Sequence, residues 1–242
     1  MSKTFYFFFC AAMAVAGSYS LAQAVDAPAL DASVLYNSMT VTHAGVTESR
    51  QFRNTLIRRP GHVWVERVLP VHTDAKHGHA HGMERVKQSA EAKSGHKHVD
   101  FDTSAQHLTR DAKGEIRADY IDHQQRQIVF VPRAEYSVSG FDGSWDNAAE
   151  IINEKSVKAM PASKRVSALA NAEWREDSRN GWTHRVLWSN QYKIAMIVES
   201  VKQDGSATRR TAVTIKPATP ERDLPWKRLN GYAQKEFDDF MD

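Results

Sequence analysis

A single cysteine, Cys10, occurs in the 242-residue sequence, and it lies inside an apolar leader. Once that leader is removed, disulfide staples, CxxC redox chemistry, thiolate zinc sites and a cysteine nucleophile are all excluded. Charge of one sign is scarce as well. The chain carries 32 Lys and Arg against 29 Asp and Glu, a formal net charge of +3, too weak a field to favour nucleic acid. No second long apolar run follows the one near the start, and about 20 such residues are needed to span a bilayer, so no transmembrane segment is expected after cleavage. Catalytic fingerprints are missing too: there is no GxSxG elbow, P-loop, GxGxxG turn or HExxH helix. Scattered Ser, His and Asp residues define no triad, so the chain reads as a non-enzyme.

What is present begins with export. Lys3, the apolar run from Phe5 to Gly17 and the small residues of Ala22-Gln23-Ala24 have the layout of a cleavable secretory signal. We therefore expect a signal peptide over residues 1–24, a single domain over 25–242 and a periplasmic location. From Val34 onward short apolar alternation dominates, the period of half-buried strands. Val63 and Val65 alternate with Trp64. Trp182, His184, Val186 and Trp188 share one face of a later strand, and Tyr192, Ile194, Met196 and Val198 recur at spacing two on the next. Asp204-Gly205 supplies a hairpin turn before Thr211, Val213 and Ile215, completing an antiparallel meander. Helix signals are fewer. Asp146 is placed to cap a short helix through Ile152, residues 166–174 form a weaker candidate, and Trp226, Leu229, Tyr232, Phe237 and Phe240 lay out an amphipathic C-terminal helix.

Between Pro70 and Asp100 the composition changes. Residues 71–99 hold six of the eleven histidines, His72, His77, His79, His81, His96 and His98, and no Phe, Trp or Tyr. Such a segment builds no core and reads as an inserted, mobile loop. Neutral imidazoles suit zinc, copper and nickel, and a loop able to wrap an ion offers these six as candidate ligands, although no cofactor is required. A solvated loop that binds metal only adventitiously is the plain alternative.

The stretch Thr55-Leu56-Ile57-Arg58-Arg59-Pro60-Gly61-His62-Val63-Trp64-Val65-Glu66 resembles the strand-turn-strand that opens lipoprotein carriers of the LolA type. Leu108 to Gly114, followed by Tyr120-Ile121-Asp122 and Gln127 to Val131, is similar to the strands that come next in that family. The meander from Trp188 to Ile215 resembles both that family and the related RseB-type periplasmic sensor domains. The resemblance implies an α+β fold: an unclosed, curved antiparallel half-barrel with helices on its concave side, which holds an acyl chain or hydrophobic peptide. It implies a latching arginine before the proline, here Arg59. In the carriers a bulky aromatic stands at the position of Val63 and a tryptophan at that of Val65, and a long N-terminal lid helix precedes the first strand. This chain has no such helix there, so the C-terminal helix is expected to replace it.

Together these features give a periplasmic carrier of a hydrophobic ligand or lipoprotein, with Arg59, Val63, Val65, Trp182 and Trp188 as candidate ligand-binding residues. Two other functions fit the sequence. One is metal binding or sensing through the histidine loop; the other is a regulatory module that meets another envelope protein through its sheet edge or terminal helix.

Overall fold

A computed structural model of the chain describes residues 27–69 and 100–240. The expected leader, and the loop carrying His72, His77, His79, His81, His96 and His98, lie outside the described residues. In chain order the strands are β1 (Leu30–Val41), β2 (Thr47–Arg59), β3 (His62–Arg67), β4 (Ala105–Arg110), β5 (Ile116–Asp122), β6 (Gln127–Val131), β7 (Ala172–Arg179), β8 (Trp182–Ser189), β9 (Ile194–Lys202), β10 (Ala207–Lys216) and β11 (Ala233–Glu236). All eleven join one open, curved sheet in the order β11-β6-β5-β4-β3-β2-β1-β10-β9-β8-β7. Two hairpin meanders, β1 to β6 and β7 to β10, are thus sewn together where β10 pairs with β1. Every neighbouring pair is antiparallel except β11 with β6, which is parallel.

One apolar cluster draws a buried residue from each of the first ten strands, including Leu30, Leu56, Val63, Leu108, Val131, Trp174, Leu187 and Val213. We call the face that bears it the inner face. A flat sheet of eleven strands at about 4.8 Å spacing would be roughly 50 Å wide. The helix lying on this face, α1 (Trp145–Glu150), has six residues and is about 9 Å long. It covers only part of such a sheet, so curvature, which brings distant strands to face each other, does the rest.

The opposite, outer face is covered in two places. On β2 to β6, Ile57, Trp64, Ala105, Ile121 and Ile128 pack under Leu224 and Trp226. On β8 and β9, Val186, Trp188 and Ala195 pack under Val157 of α2 (Glu154–Ala159). Strict alternation in β3 therefore buries both sets of side chains, Val63 inward and Trp64 outward, each with 0% exposure.

Several elements differ from the sequence-based expectation. The C-terminal helix over 226–241 does not form. Its place is taken by a 3-10 turn at Pro225–Arg228, the strand β11 and a second 3-10 turn at Phe237–Phe240. Gly231, at φ +79°, interrupts the run, and the apolar stripe serves two faces: Leu229 and Tyr232 pack outward while Phe237 joins the inner cluster. The candidate helix over 166–174 is also absent. Val166 is 92% exposed, so no apolar face existed there to bury, and β7 begins at Ala172. The helix expected from Asp146 is capped instead by Ser144, whose side chain accepts from the Asn147 N–H at 3.1 Å, and it ends at Glu150. It continues as the separately capped α2, which lies on the outer face rather than beside α1. The meander forms with the expected Asp204-Gly205 turn, but β9 carries a bulge. Leu187 pairs with Ile197 and Trp188 with Ala195, which leaves Met196 as the extra residue. A bulge shifts the alternation by one. Ile194 and Met196 accordingly face the inner cluster, while Val198 packs with the outer one.

Candidate functional site

The inner face is roofed by the connection between β6 and α2. Tyr136, Phe141, Trp145 and Ala149 of this segment are buried in the inner cluster. Polar contacts hold it in place. The Tyr136 hydroxyl donates to the Ile116 carbonyl at 2.8 Å, and the Tyr120 hydroxyl lies 2.9 Å from Ser139 Oγ while receiving the Gln106 amide at 2.6 Å. Arg110 stacks its guanidinium over Trp145 at 4.5 Å. Burial pushes both tyrosine hydroxyls above their ordinary pKa.

The firmest tie is Arg58. With Pro60-Gly61 as the two turn residues, Arg59 stands opposite His62 and Arg58 opposite Val63. Gly61 takes φ +68°, which that tight turn requires. Arg58 therefore belongs to the inner row with Leu30 and Val63. It is 2% exposed, and its guanidinium donates to the carbonyls of Pro28 at 2.9 Å, Ala149 at 2.7 Å, Lys193 at 3.0 Å and Tyr192. Ala149 lies in the last turn of α1, where unpaired carbonyls and the negative end of the helix dipole favour a cation. Just beyond it, Ile151 adopts φ +71°. A β-branched residue rarely takes this conformation, and here it packs against both the inner and the α2 clusters as the chain passes between faces.

Away from the roof the inner cluster extends to a partly buried aromatic shelf. Tyr36 and Phe52 stack at 4.7 Å, Arg67 lies 3.7 Å over the Phe52 ring, and Val65 packs alongside. Phe101 meets Tyr120 edge-on at 4.8 Å.

The five residues proposed from sequence do not converge. Val63 and Val65 are on the inner face. Arg59 points outward, paired with Asp31 and donating to the Thr219 carbonyl at 3.1 Å. Trp188 is fully buried beneath α2, and Trp182 stacks with His184 at 6.3 Å. Near these two, a cavity of about 390 Å³ opens between α2 and β7 to β9, lined by Met160, Val186 and Val198 on its apolar side and by Asp177, His184 and Ser200 on its polar side. His184 Nδ1 is 2.9 Å from Ser200 Oγ. Among the described residues, no group of three His, Cys, Asp or Glu side chains is placed to hold a metal ion.

Arg58, the roof aromatics and a cluster of histidines on the outer face stand outside the residues proposed from sequence. Arg58 was accessible to parity counting back from Val63 across the turn. The histidines His62 and His107 lie on adjacent strands, and only the β3–β4 pairing brings them together.

The fold defines a class: an open, curved sheet of eleven strands, antiparallel but for one pair, with few helices. No protein-family profile matches the chain, and no curated protein matches it in sequence. Solved structures similar to it include a LolA superfamily protein, NE2245 from Nitrosomonas europaea, at 6% identity and a TM-score of 0.29, covering 80% of this chain and 88% of that one. Another is an outer membrane lipoprotein-sorting protein domain from Vibrio parahaemolyticus, at 8% identity and a TM-score of 0.31, covering 82% and 91%. The structure of PNGF-II is similar at 14% identity and a TM-score of 0.37 over 88% of this chain, which spans only 33% of that protein. Among the described residues, no helix is long and apolar enough to cross a membrane.

Proposed function

We propose that the chain is an exported carrier that holds an acyl chain or a hydrophobic peptide against its inner face. The observation that supports this is the roof. A six-residue helix and its flanking loop place Phe141 and Trp145 on an apolar surface shared by ten strands, and the sheet grips the end of that helix through Arg58 and backbone carbonyls. A short segment of this kind stands in for a guest. Its aromatic side chains occupy the surface a ligand would take, and the Tyr36 and Phe52 shelf beside it offers continuing apolar contact. Burial of a single acyl chain there would be driven by about 25 cal/mol per Å² of apolar area, enough to compete with two aromatic rings.

Native mass spectrometry of the full exported chain, purified without a tag or detergent, tests this reading together with Trp145→Ala. The expected result is a lipid-sized mass adduct on the wild type after incubation with phospholipid vesicles, and more of it on the variant, because the truncated side chain vacates the guest's position. If neither protein retains an adduct, the carrier function is wrong.

A further inference from the structure

The outer face of β2 to β6 carries a feature that lipid carriage does not use. Residues 217–232 cross it as a strap with no α-helix. Thr219 anchors one end: its N–H donates to Asp31 at 2.7 Å, and its carbonyl accepts from Arg59. At the other end Ala233 N–H donates to the Arg126 carbonyl at 2.9 Å, and β11 follows. Between these ends Leu224, 1% exposed, Trp226, Leu229 and Tyr232 cover Ile57, Trp64, Ile121 and Ile128.

The middle of the strap rests on two imidazoles. His62 Nδ1 and His107 Nε2 are 3.1 Å apart and share one hydrogen bond, with their rings within 10° of parallel. The Trp226 indole lies over both, 5.1 Å from each ring centroid and tilted 3° from His62 and 9° from His107. A contact between two ring nitrogens needs one N–H and one lone pair. When both rings are protonated, two N–H groups and two positive charges face each other across the same gap.

We propose that the strap is a proton-released cover, closed while His62 and His107 share their hydrogen bond beneath Trp226 and lifted from β3 and β4 when both imidazoles are protonated. The surrounding charges set the order of events. His62 faces Glu221 and Lys227 of the strap, which pair with each other at 2.5 Å, so a first proton on this half-exposed ring is tolerated. His107, 8% exposed, stands opposite Asp119, a carboxylate already engaged by Arg117 at 2.8 Å. Among the described residues, no acid offsets the charge of its second proton. Burial first, and His62 second, pull its pKa down to about 4. Burial also lowers that of His62. Elsewhere on the strap, Asp223 pairs with Arg228 and Arg222. His123 faces Glu66 at 3.5 Å and Tyr232 at 3.0 Å. Because the closed form holds these histidines below their ordinary value, closure is complete above about pH 6.5 and weakens as pH falls towards 4. The opening equilibrium rises by up to about tenfold per pH unit for each proton taken up.

Hydrogen exchange of the full chain, followed by mass spectrometry between pH 7.5 and 4.5 and corrected for intrinsic rates, reads this directly. β9 and β10 serve as the internal reference. Strap peptides spanning 220–232 should exchange at least tenfold faster relative to the reference at pH 5 than at pH 7, reversibly, and His62→Gln and His107→Gln should flatten that response. Should the buried variant fail to fold, the half-exposed His62→Gln carries the test alone. Strap exchange that tracks the reference at every pH overturns the proposal, as does a wild-type pH response in the glutamine variants. Neither outcome depends on whether lipid is bound.

Discussion

Arg58 and Arg59 show how much one position along a strand decides. They are chemically identical neighbours, but alternation sends Arg58 into the inner row and Arg59 to the outer one, where it meets Asp31. The first supplies donors to four backbone carbonyls from a nearly dry site. Removing it leaves those acceptors buried without partners, a cost of about 3 kcal/mol. Arg59→Ala takes the ion-pair partner from Asp31, which is buried but still receives the Thr219 N–H at 2.7 Å, and should cost roughly 1 to 2 kcal/mol. Urea unfolding of the two variants should therefore separate them clearly; equal midpoints would refute the role given to Arg58. A second residue-scale expectation concerns acid. His107 is held neutral by burial, with its pKa brought to about 4, so the folded chain binds fewer protons than the unfolded one between that value and about 6.5. Stability contributed by this site is fully present above that window and declines through it by roughly 3 kcal/mol at most. Urea midpoints measured at pH 7 and pH 4.5 should differ accordingly, and His107→Gln should narrow the gap.

The strands were the elements most legible in the sequence, because period-two alternation reports directly on a half-buried sheet. The meander of β8, β9 and β10 stands where the apolar spacing and the Asp204-Gly205 turn place it. The facing of β9 was not legible. One extra residue at Met196 reverses the alternation, and nothing in Ile194-Ala195-Met196-Ile197-Val198 marks which residue is extra. Deleting Met196 should restore regular pairing with β8 while Ala195 stays outward and Ile197 inward, at the cost of the buried Met196 side chain, roughly 2 to 5 kcal/mol. Met196→Leu keeps the volume and should cost under about 1.5 kcal/mol. Thermal unfolding followed by near-ultraviolet circular dichroism distinguishes the two. The C-terminal strap shows the opposite error: its aromatic residues recur at helical spacing, yet the period arises from two separate surfaces each claiming part of the run.

For the whole molecule, β3 and β4 are neighbours in the sheet although residues 68–104 separate them in sequence. These strands pair directly, Val65 opposite Gln106 and His62 opposite Thr109, so their register is fixed by the hydrogen-bonded ladder and by the side chains on both faces. Replacing residues 71–99 with a short Gly/Ser linker should leave the melting temperature within a few degrees, since loop closure entropy changes only slowly with length. The same replacement should abolish metal retention if His72, His77, His79, His81, His96 and His98 bind an ion, which inductively coupled plasma mass spectrometry of untagged protein measures.

From its residues alone the chain settled a good deal: a mostly antiparallel sheet rather than alternating βαβ units, few helices, a single cysteine and a net charge of only +3. Those properties follow from composition and from contacts close in sequence. The tertiary structure alone decided which arginine grips the roof, that α1 and α2 lie on opposite faces, and that His62, His107 and Trp226 form one stack. Each of these depends on strand parity, on a single bulge or on contacts between residues more than a hundred positions apart, and no local pattern encodes the facing of a side chain once such a contact can override it.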